Sequence, residues 1–434
     1  MKLFTTITTA ILTVPALFGQ MTLNDCLIYA SEHSHDIIIS RLNVSKAEAD
    51  KRITVADMLP YLSMSSSGNL SFGRNIDPET NTYDNKQTLS TGFGLNLSLP
   101  LFDGLVRFNN LKVAEMARRR RLSDVEIERD RISFDVIKAF YNVAYCKAMV
   151  EQMEMQLHRD SLDLAATVHA ERLGTKSGAD VAQMEALVAT DRFELANQNG
   201  LLAKSYYTLK GSMGMPPDSA PVDLIFDAPE FNTDPTAVNP RVEEARQALR
   251  QSEYELRAAR GAFSPKISLN GGISTSYYRM FGSGAYSAGS FSRQWHNNMG
   301  EYIGFSVSIP LFTGFATTNR LKRAKINLEE SRVKLEKTRY EVARETSEAE
   351  LDLRTATIEL EAAEKRLEAE QVAYDAVHRR YELGSASVID LYTSGAQLAT
   401  AKAAVEGKRI QRIISDITLK YYNGAKLINR WTEK

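Results

Sequence analysis

Two aspartates of this chain, Asp180 and Asp390, stand 210 positions apart, each three residues after a serine and six after a glycine. In both places a Leu-Gly pair (Leu173-Gly174, Leu383-Gly384) leads into Ser-x-x-Asp, from Ser177 to Asp180 and from Ser387 to Asp390. A carboxylate at that spacing accepts the serine's backbone N–H while the serine hydroxyl accepts the carboxylate residue's own N–H, the reciprocal pair of a capping box. The preceding glycine suits the left-handed end of an incoming helix. The chemistry on offer is electrostatic and conformational, at a tight turn between two helices, and capping alone accounts for both acids. Other chemistry finds no pattern to rest on. No Walker loop, dinucleotide fingerprint or zincin motif is present, and the six histidines (His33, His35, His158, His169, His296, His378) show no helical metal-ligand spacing. We therefore expect no enzyme activity, no cofactor and no metal centre.

These turns belong to a larger repeat. Leu99-Pro100-Leu101-Phe102-Asp103-Gly104 returns as Ile309-Pro310-Leu311-Phe312-Thr313-Gly314, and Gly214 returns as Gly424, at the same offset of 210. A fixed internal period defines the structural unit. No Gly or Pro interrupts the chain between Gly104 and Gly174, or between Gly314 and Gly384. One helix filling either window would run about 100 Å, far beyond globular norms, so these helices belong to coiled coils or helical arrays. The seam is legible in the second copy: Ala349, Leu353, Ala356, Leu360, Ala363, Leu367, Glu370, Tyr374, Val377 and Tyr381 alternate steps of four and three. The first copy repeats it from Ala139 through Val143, Cys146 and Val150 to Asp160, Leu164, Thr167 and Glu171. That spacing implies left-handed supercoiling against a partner helix, which the short turns supply as an antiparallel neighbour. Tyr381 continues the seam, so core packing explains it; its counterpart Glu171 is not aromatic, which points to a role confined to the second hairpin.

Between these helices lie beta segments. Leu89 to Leu101 alternates apolar residues with Ser90, Gly92, Gly94, Asn96, Ser98 and Pro100, and Ile303, Phe305, Val307, Ile309 and Leu311 alternate likewise with Tyr302, Gly304, Ser306, Ser308 and Pro310. Upstream partners begin after Pro60 and Pro265. Each strand has one apolar face and one face of small polar residues, and is long enough for a tilted bilayer crossing. Four strands cannot close a barrel and lipid tolerates no open edge, so a membrane-embedded sheet requires several chains per barrel. The other reading of the pattern is a soluble beta domain capping a coiled coil.

The repeat gives these expected boundaries. Residues 1–19, with Lys2 before an apolar run ending at Gly19, read as a secretory signal peptide rather than a buried first helix. Repeat 1 spans 20–214: a helix near 24–57, a hairpin near 61–101, a long helix near 105–173 and a returning helix near 178–213. A Pro-rich stretch over 215–239 holds Pro216, Pro217, Pro221, Pro229 and Pro235. Repeat 2 spans 240–434: a helix near 241–262, a hairpin near 266–311, a long helix near 315–383 and a returning helix near 388–422. A net charge of −1 with 25% charged residues gives no general attraction to nucleic acid or anionic lipid. The run Arg118 to Arg121 lacks interleaved aromatics and reads as a solvated or ion-paired helix face. Two cysteines, Cys26 and Cys146, make no disulfide framework. Cys26 lies too far past the apolar run for a lipid anchor, and the Gly282-Ser283-Gly284 segment reads as an external loop between strands.

Signal peptide, helix, Pro-initiated hairpin, Leu-Pro-Leu-Phe-Asp-Gly, long helix, Leu-Gly tip and returning helix, all stated twice, resemble the TolC family of outer-membrane efflux proteins. The resemblance implies a mainly helical homotrimer in a Gram-negative outer membrane. Four strands per protomer would complete a 12-stranded barrel in outer-membrane lipid, above a long antiparallel coiled-coil tunnel in the periplasm, with the Pro-rich stretch in an equatorial girdle. It implies a passive conduit partnered by a periplasmic adaptor and an inner-membrane pump such as an RND or ABC transporter, without nucleic acid. On the matching positions, Leu173, Gly174, Thr175, Leu383, Gly384 and Ser385 are adaptor-facing tips. Tyr381 and Asp180 correspond to a tyrosine and an aspartate whose hydrogen bond between neighbouring hairpins helps hold the closed state, and Asp390 to an acid lining the constriction. An arginine that reinforces closure in the family is Ala386 here, and a second constriction aspartate is Thr393, so the resemblance implies a less acidic entrance. The competing reading is a soluble periplasmic or surface coiled-coil protein with a structural or adhesive role.

Overall fold

The computed structural model describes residues 20–76, 81–219, 222–226, 231, 238–281 and 289–428. The signal segment 1–19, Gly282-Ser283-Gly284, Pro221, Pro229 and Pro235 lie outside the described residues. The elements run α1 (Leu23–His33), α2 (His35–Ala56), β1 (Tyr61–Ser71), β2 (Arg74–Ile76), β3 (Tyr83–Asn85), β4 (Gln87–Phe102), α3 (Val106–Arg172) and α4 (Gly178–Met213). They continue with α5 (Pro240–Gly261), β5 (Lys266–Phe281), α6 (Phe291–Asn297), β6 (Gly300–Ser308), α7 (Ala316–Glu382) and α8 (Val388–Tyr422). The chain divides into two compact units: residues 1–41, 124–240 and 339–434 form one, and residues 42–123 and 241–338 the other.

The second of these units holds a four-stranded antiparallel sheet in the order β1-β4-β5-β6, so β1 and β6 are its edges. Its register sorts the residues by face. Leu62 opposes Leu97, Met64 opposes Leu95, Leu99 opposes Leu269 and Phe305 opposes Leu269 from the other side, all on one apolar face. Ser63, Asn96, Gly272 and Tyr302 follow one another across the other face, as do Ser67, Gly92 and Ser276. Period-two alternation turns sequence directly into two-faced structure here. Pro100, which has no N–H to give, sits in β4 beside a register shift between Pro100 and Phe102. In the second copy β6 stops at Ser308, so Ile309 and Leu311, expected to prolong the alternation, are not in a strand. Pro310 lacks the donor that another ladder step needs, and no bulge absorbs it.

The helices around the sheet are tied by charge. Arg118 contacts Glu48 at 3.4 Å, Arg119 contacts Glu115 at 3.2 Å and Arg120 contacts Glu244 at 2.7 Å, so this arginine run is an ion-paired face. Lys51 stands 2.8 Å from Glu115. That ammonium, with Arg119 and Arg118, holds the Glu115 carboxyl down at about 2. At the strand-to-helix junction a Cβ on Gly104 would lie 2.2 Å from the Gly261 carbonyl oxygen, so only glycine permits the approach.

The other unit has its own core. Phe140, Ile137, Val136 and Val143 of α3 pack with Cys26, Leu27 and Ala30 of α1, Leu209 and Met213 of α4 and Ile417 of α8. Met215, Val222 and Leu224 of the Pro-rich stretch join it, and Leu224 bridges Met21 in parallel. Burying each of the Val, Leu, Ile, Phe and Met side chains contributes about 1.5–3 kcal/mol. Cys26 and Cys146 are free and buried. Helix α1 ends one residue before α2 begins, where a single helix near 24–57 was expected. Ser34 is extended (φ −61°, ψ 125°), its N–H still bonded to Ala30 at 2.9 Å and its carbonyl accepting from Ile38 at 3.0 Å. One residue thus ends one helix and starts the next. No described helix is long and apolar enough to cross a membrane, which says nothing of the sheet.

Candidate functional site: the helical hairpin tips

At the tips the two copies are built alike. Gly174 (φ +77°) and Gly384 (φ +73°) take the left-handed conformation that ends α3 and α7 at little cost for glycine. The N–H of Gly174 bonds Glu171 at 2.8 Å and that of Thr175 bonds Ala170 at 2.9 Å; Gly384 bonds Tyr381 at 3.0 Å and Ser385 bonds Arg380 at 2.7 Å. The hydroxyls of Thr175 and Ser385 donate to the same two carbonyls, of Ala170 at 2.9 Å and Arg380 at 3.0 Å. Every orphan carbonyl so bonded stiffens the turn. Leu173 and Leu383 stay outside it, 67% and 83% exposed.

Asp180 and Asp390 each close a capping box. Asp180 Oδ2 accepts from the Ser177 N–H at 2.9 Å and from its hydroxyl at 2.8 Å; Asp390 Oδ2 accepts from the Ser387 N–H at 3.0 Å and hydroxyl at 2.8 Å. These donors hold both carboxyls below the usual carboxylate range. Thr393 is exposed and turns its hydroxyl back onto the Ile389 carbonyl at 2.8 Å.

Tyr381 is buried, and within the protomer its hydroxyl meets not Asp180 but Thr167, with the two oxygens 2.7 Å apart. Lys176 lies 4.1 Å over its ring. Its surroundings are Met184 and Leu187 of α4, Tyr374 of α7 and Val388, Leu391 and Leu398 of α8, with Leu164 and Ala386 against them. The structure therefore brings Tyr381 together with Thr167 and Lys176, and leaves Asp180, Asp390 and Thr393 on their own helix ends.

Two polar features behind the tips escaped the sequence reading. His378 Nε2 stands 3.3 Å from Asp163, joining α7 to α3. Deeper, Asp160 of α3 and Asp191 of α4 are both buried, Asp191 to 7% exposure, and their carboxyls are close enough to influence each other. Burial first, then that neighbouring acid, push Asp191 well above the usual carboxylate range. Arg159, close by, lies 5.5 Å over the Tyr374 ring. An acid at a seam position, Asp160, was the available signal; its partner Asp191 lies on the returning helix and carries no spacing of its own. Among the described residues no group of three or more His, Cys, Asp or Glu is placed to hold a metal ion.

A model of the outer membrane efflux protein family matches residues 29–215 and 236–425. The chain belongs to the outer membrane efflux protein family. Its matched stretches flank the Pro-rich segment, one for each pair of long helices. Family relatives include the cation efflux system protein CusC of Escherichia coli O157:H7, 28% identical over 262 residues, 57% of this chain and 54% of that one. The probable efflux pump outer membrane protein TtgC of Pseudomonas putida is 24% identical over 404 residues, 89% of this chain and 79% of that one. The chain spans about half the length of the CusC relatives it matches. Among solved structures, a crystal structure of CusC superposes with a TM-score of 0.79 at 19% identity, covering 94% of this chain and 93% of that one. VceC from Vibrio cholerae gives 0.76 at 16% identity, over 93% and 96%. These likenesses establish the TolC-like fold. Membership of this family makes the chain an outer-membrane protein and sets aside the soluble coiled-coil reading.

Proposed function

We propose that this chain is one protomer of a trimeric outer-membrane duct that exports substrate passively, driven by an inner-membrane pump through a periplasmic adaptor. The observation that carries the reading is the sheet: four strands, one apolar face, one polar face, and two edges, β1 and β6, with no further strand beside them among the described residues. Lipid tolerates such a sheet only when its edges are closed. Three copies close twelve strands around the polar face, wide enough for water.

The tips fit the periplasmic end of such a duct. Leu173 and Leu383 offer exposed apolar knobs on stiffened turns, suited to docking an adaptor's helices. Tyr381, bonded to Thr167, ties the second hairpin to the first and keeps the entrance closed. Asp390 supplies one acid per protomer to the constriction, where Thr393 adds no charge. The first helix of each repeat, the hairpins and the Pro-rich girdle take the places this duct assigns them. Fractionation tests the reading: the protein should leave membranes only with detergent and run as a trimer, whereas release by salt alone as a monomer would contradict it.

A further inference from the structure

Strand β5 runs seven residues past its last pairing with β6, Ser274 opposite Gly300, and ends at Phe281. Short helix α6 covers that stretch. Buried Gln294 accepts from the Tyr278 N–H at 2.9 Å and donates to the Tyr278 carbonyl at 3.0 Å, as a neighbouring strand would. The Asn298 amide donates to the Ser276 carbonyl at 2.8 Å, and the Thr275 hydroxyl donates to the Trp295 carbonyl at 2.8 Å. Side chains thus satisfy an edge that β6 leaves bare.

The same bonds fix where the rings of α6 go. Trp295 lies 5.0 Å from Phe93, and Phe291 lies 5.3 Å from Tyr277 and 5.5 Å from Trp295. By the register, Phe93 and Tyr277 are on the face that carries Leu62, Met64, Leu95, Leu97, Ile273 and Phe305. The four rings therefore sit on the apolar face, at the end of the sheet farthest from the long helices. Phe291 is still 48% exposed, and two exposed arginines follow these rings closely in sequence, Arg279 two residues after Tyr277 on β5 and Arg293 between Phe291 and Trp295 on α6. Apolar rings continuous with a lipid-facing surface and bordered by cations match the boundary between acyl chains and anionic headgroups.

We propose that α6 anchors the sheet in the outer leaflet, with Phe291 and Trp295 in the headgroup–acyl boundary and Arg279 and Arg293 facing headgroup phosphates. The inference rests on the membrane-embedded sheet proposed above. Trp295 can report on it directly, because the only other tryptophan is Trp431. The full-length W431F trimer is reconstituted in phosphatidylcholine vesicles brominated either near the headgroup or near the chain ends. The W295F protein, retaining Trp431, supplies the background and allows the parent's Trp295 emission to be obtained by difference should W431F fold poorly. Protein that floats with the vesicles and loses more Trp295 emission to shallow than to deep bromines supports the anchor. Floating protein whose Trp295 emission is unchanged by either lipid, or is quenched more by deep bromines, overturns it and places the ring against water, a partner copy or the bilayer centre. Protein that fails to float overturns the embedded sheet itself, and the anchor with it.

Discussion

The hydroxyl of Tyr381 and that of Thr167 face each other across 2.7 Å in a buried contact, joining the last turn of α7 to α3. The ring of Tyr381 fills a seam position that its counterpart Glu171 leaves polar and exposed. A hydrogen bond of this kind contributes about 1 kcal/mol, and leaving one partner buried and unpaired costs about 1–3 kcal/mol. Tyr381→Phe keeps the ring and removes the bond, leaving Thr167 its bond to the Asp163 carbonyl at 2.7 Å. We expect Tyr381→Phe to raise single-channel conductance modestly and Tyr381→Ala to raise it more. Equal, unchanged currents in both would remove Tyr381 from the closure.

The two capping boxes permit a separation of capping from gating. Ser177→Ala removes a helix cap worth about 1 kcal/mol, so amide exchange in the first turn of α4 should quicken roughly fivefold. Asp180→Asn weakens the same cap and also removes a charge at the tip. Currents that rise in both variants mark capping as the whole role of Asp180; a rise in Asp180→Asn alone marks a charge-dependent contact between protomers.

The buried acids set a pH dependence with a definite sign. Burial and the Asp160 carboxyl raise Asp191, and burial pushes Asp130, which accepts from the Tyr421 hydroxyl at 2.8 Å, up to about 6. A raised carboxyl holds its proton in the folded state while the unfolded chain has lost it. Its contribution is complete below the unfolded value near 4 and is lost as pH rises through the folded value. The apparent unfolding midpoint should therefore fall between about pH 4 and neutrality, and Asp191→Asn should flatten that fall. Asp180, Asp390 and Glu115, all lowered, act oppositely, their contributions fading only in stronger acid. A parent midpoint that rises steadily from pH 5 to 8 would contradict the assignment of Asp191.

The exposed tip leucines carry a prediction about partners. Leu173→Asp and Leu383→Asp alter side chains that touch little within the protomer, so trimer yield and melting should stay near the parent's. Co-purification with the cognate adaptor should fall at least tenfold in the double variant, measured by pull-down from detergent extracts. Undiminished capture would move the adaptor contact away from the tips.

Much of this architecture is legible in the chain because its punctuation is chemical. Gly174, Gly384 and the Ser-x-x-Asp pairs declare their turns through left-handed backbone and capping, both local properties. Strand faces follow from a period of two, and the long helices from windows without Gly or Pro. What escapes depends on distant partners. Helix α6 is held by the bonds that Gln294 and Asn298 make to the backbone of β5 beyond its pairing with β6, which no local pattern announces. The break at Ser34 lies within a sequence of ordinary helical character. Asp191 looks like a surface acid until α3 brings Asp160 to it, and within the protomer Tyr381 meets a threonine 214 residues away that no local pattern links to it.

The central claim is that copies of this chain form a passive duct through the outer membrane. The most direct measurement is planar-bilayer current from purified trimer, with the Tyr381→Ala protein alongside it. A passive duct gated at Tyr381 gives discrete, energy-independent conductance steps in the parent and larger ones in Tyr381→Ala. Trimer that inserts into the bilayer yet passes no current, in the parent and in Tyr381→Ala alike, would contradict it.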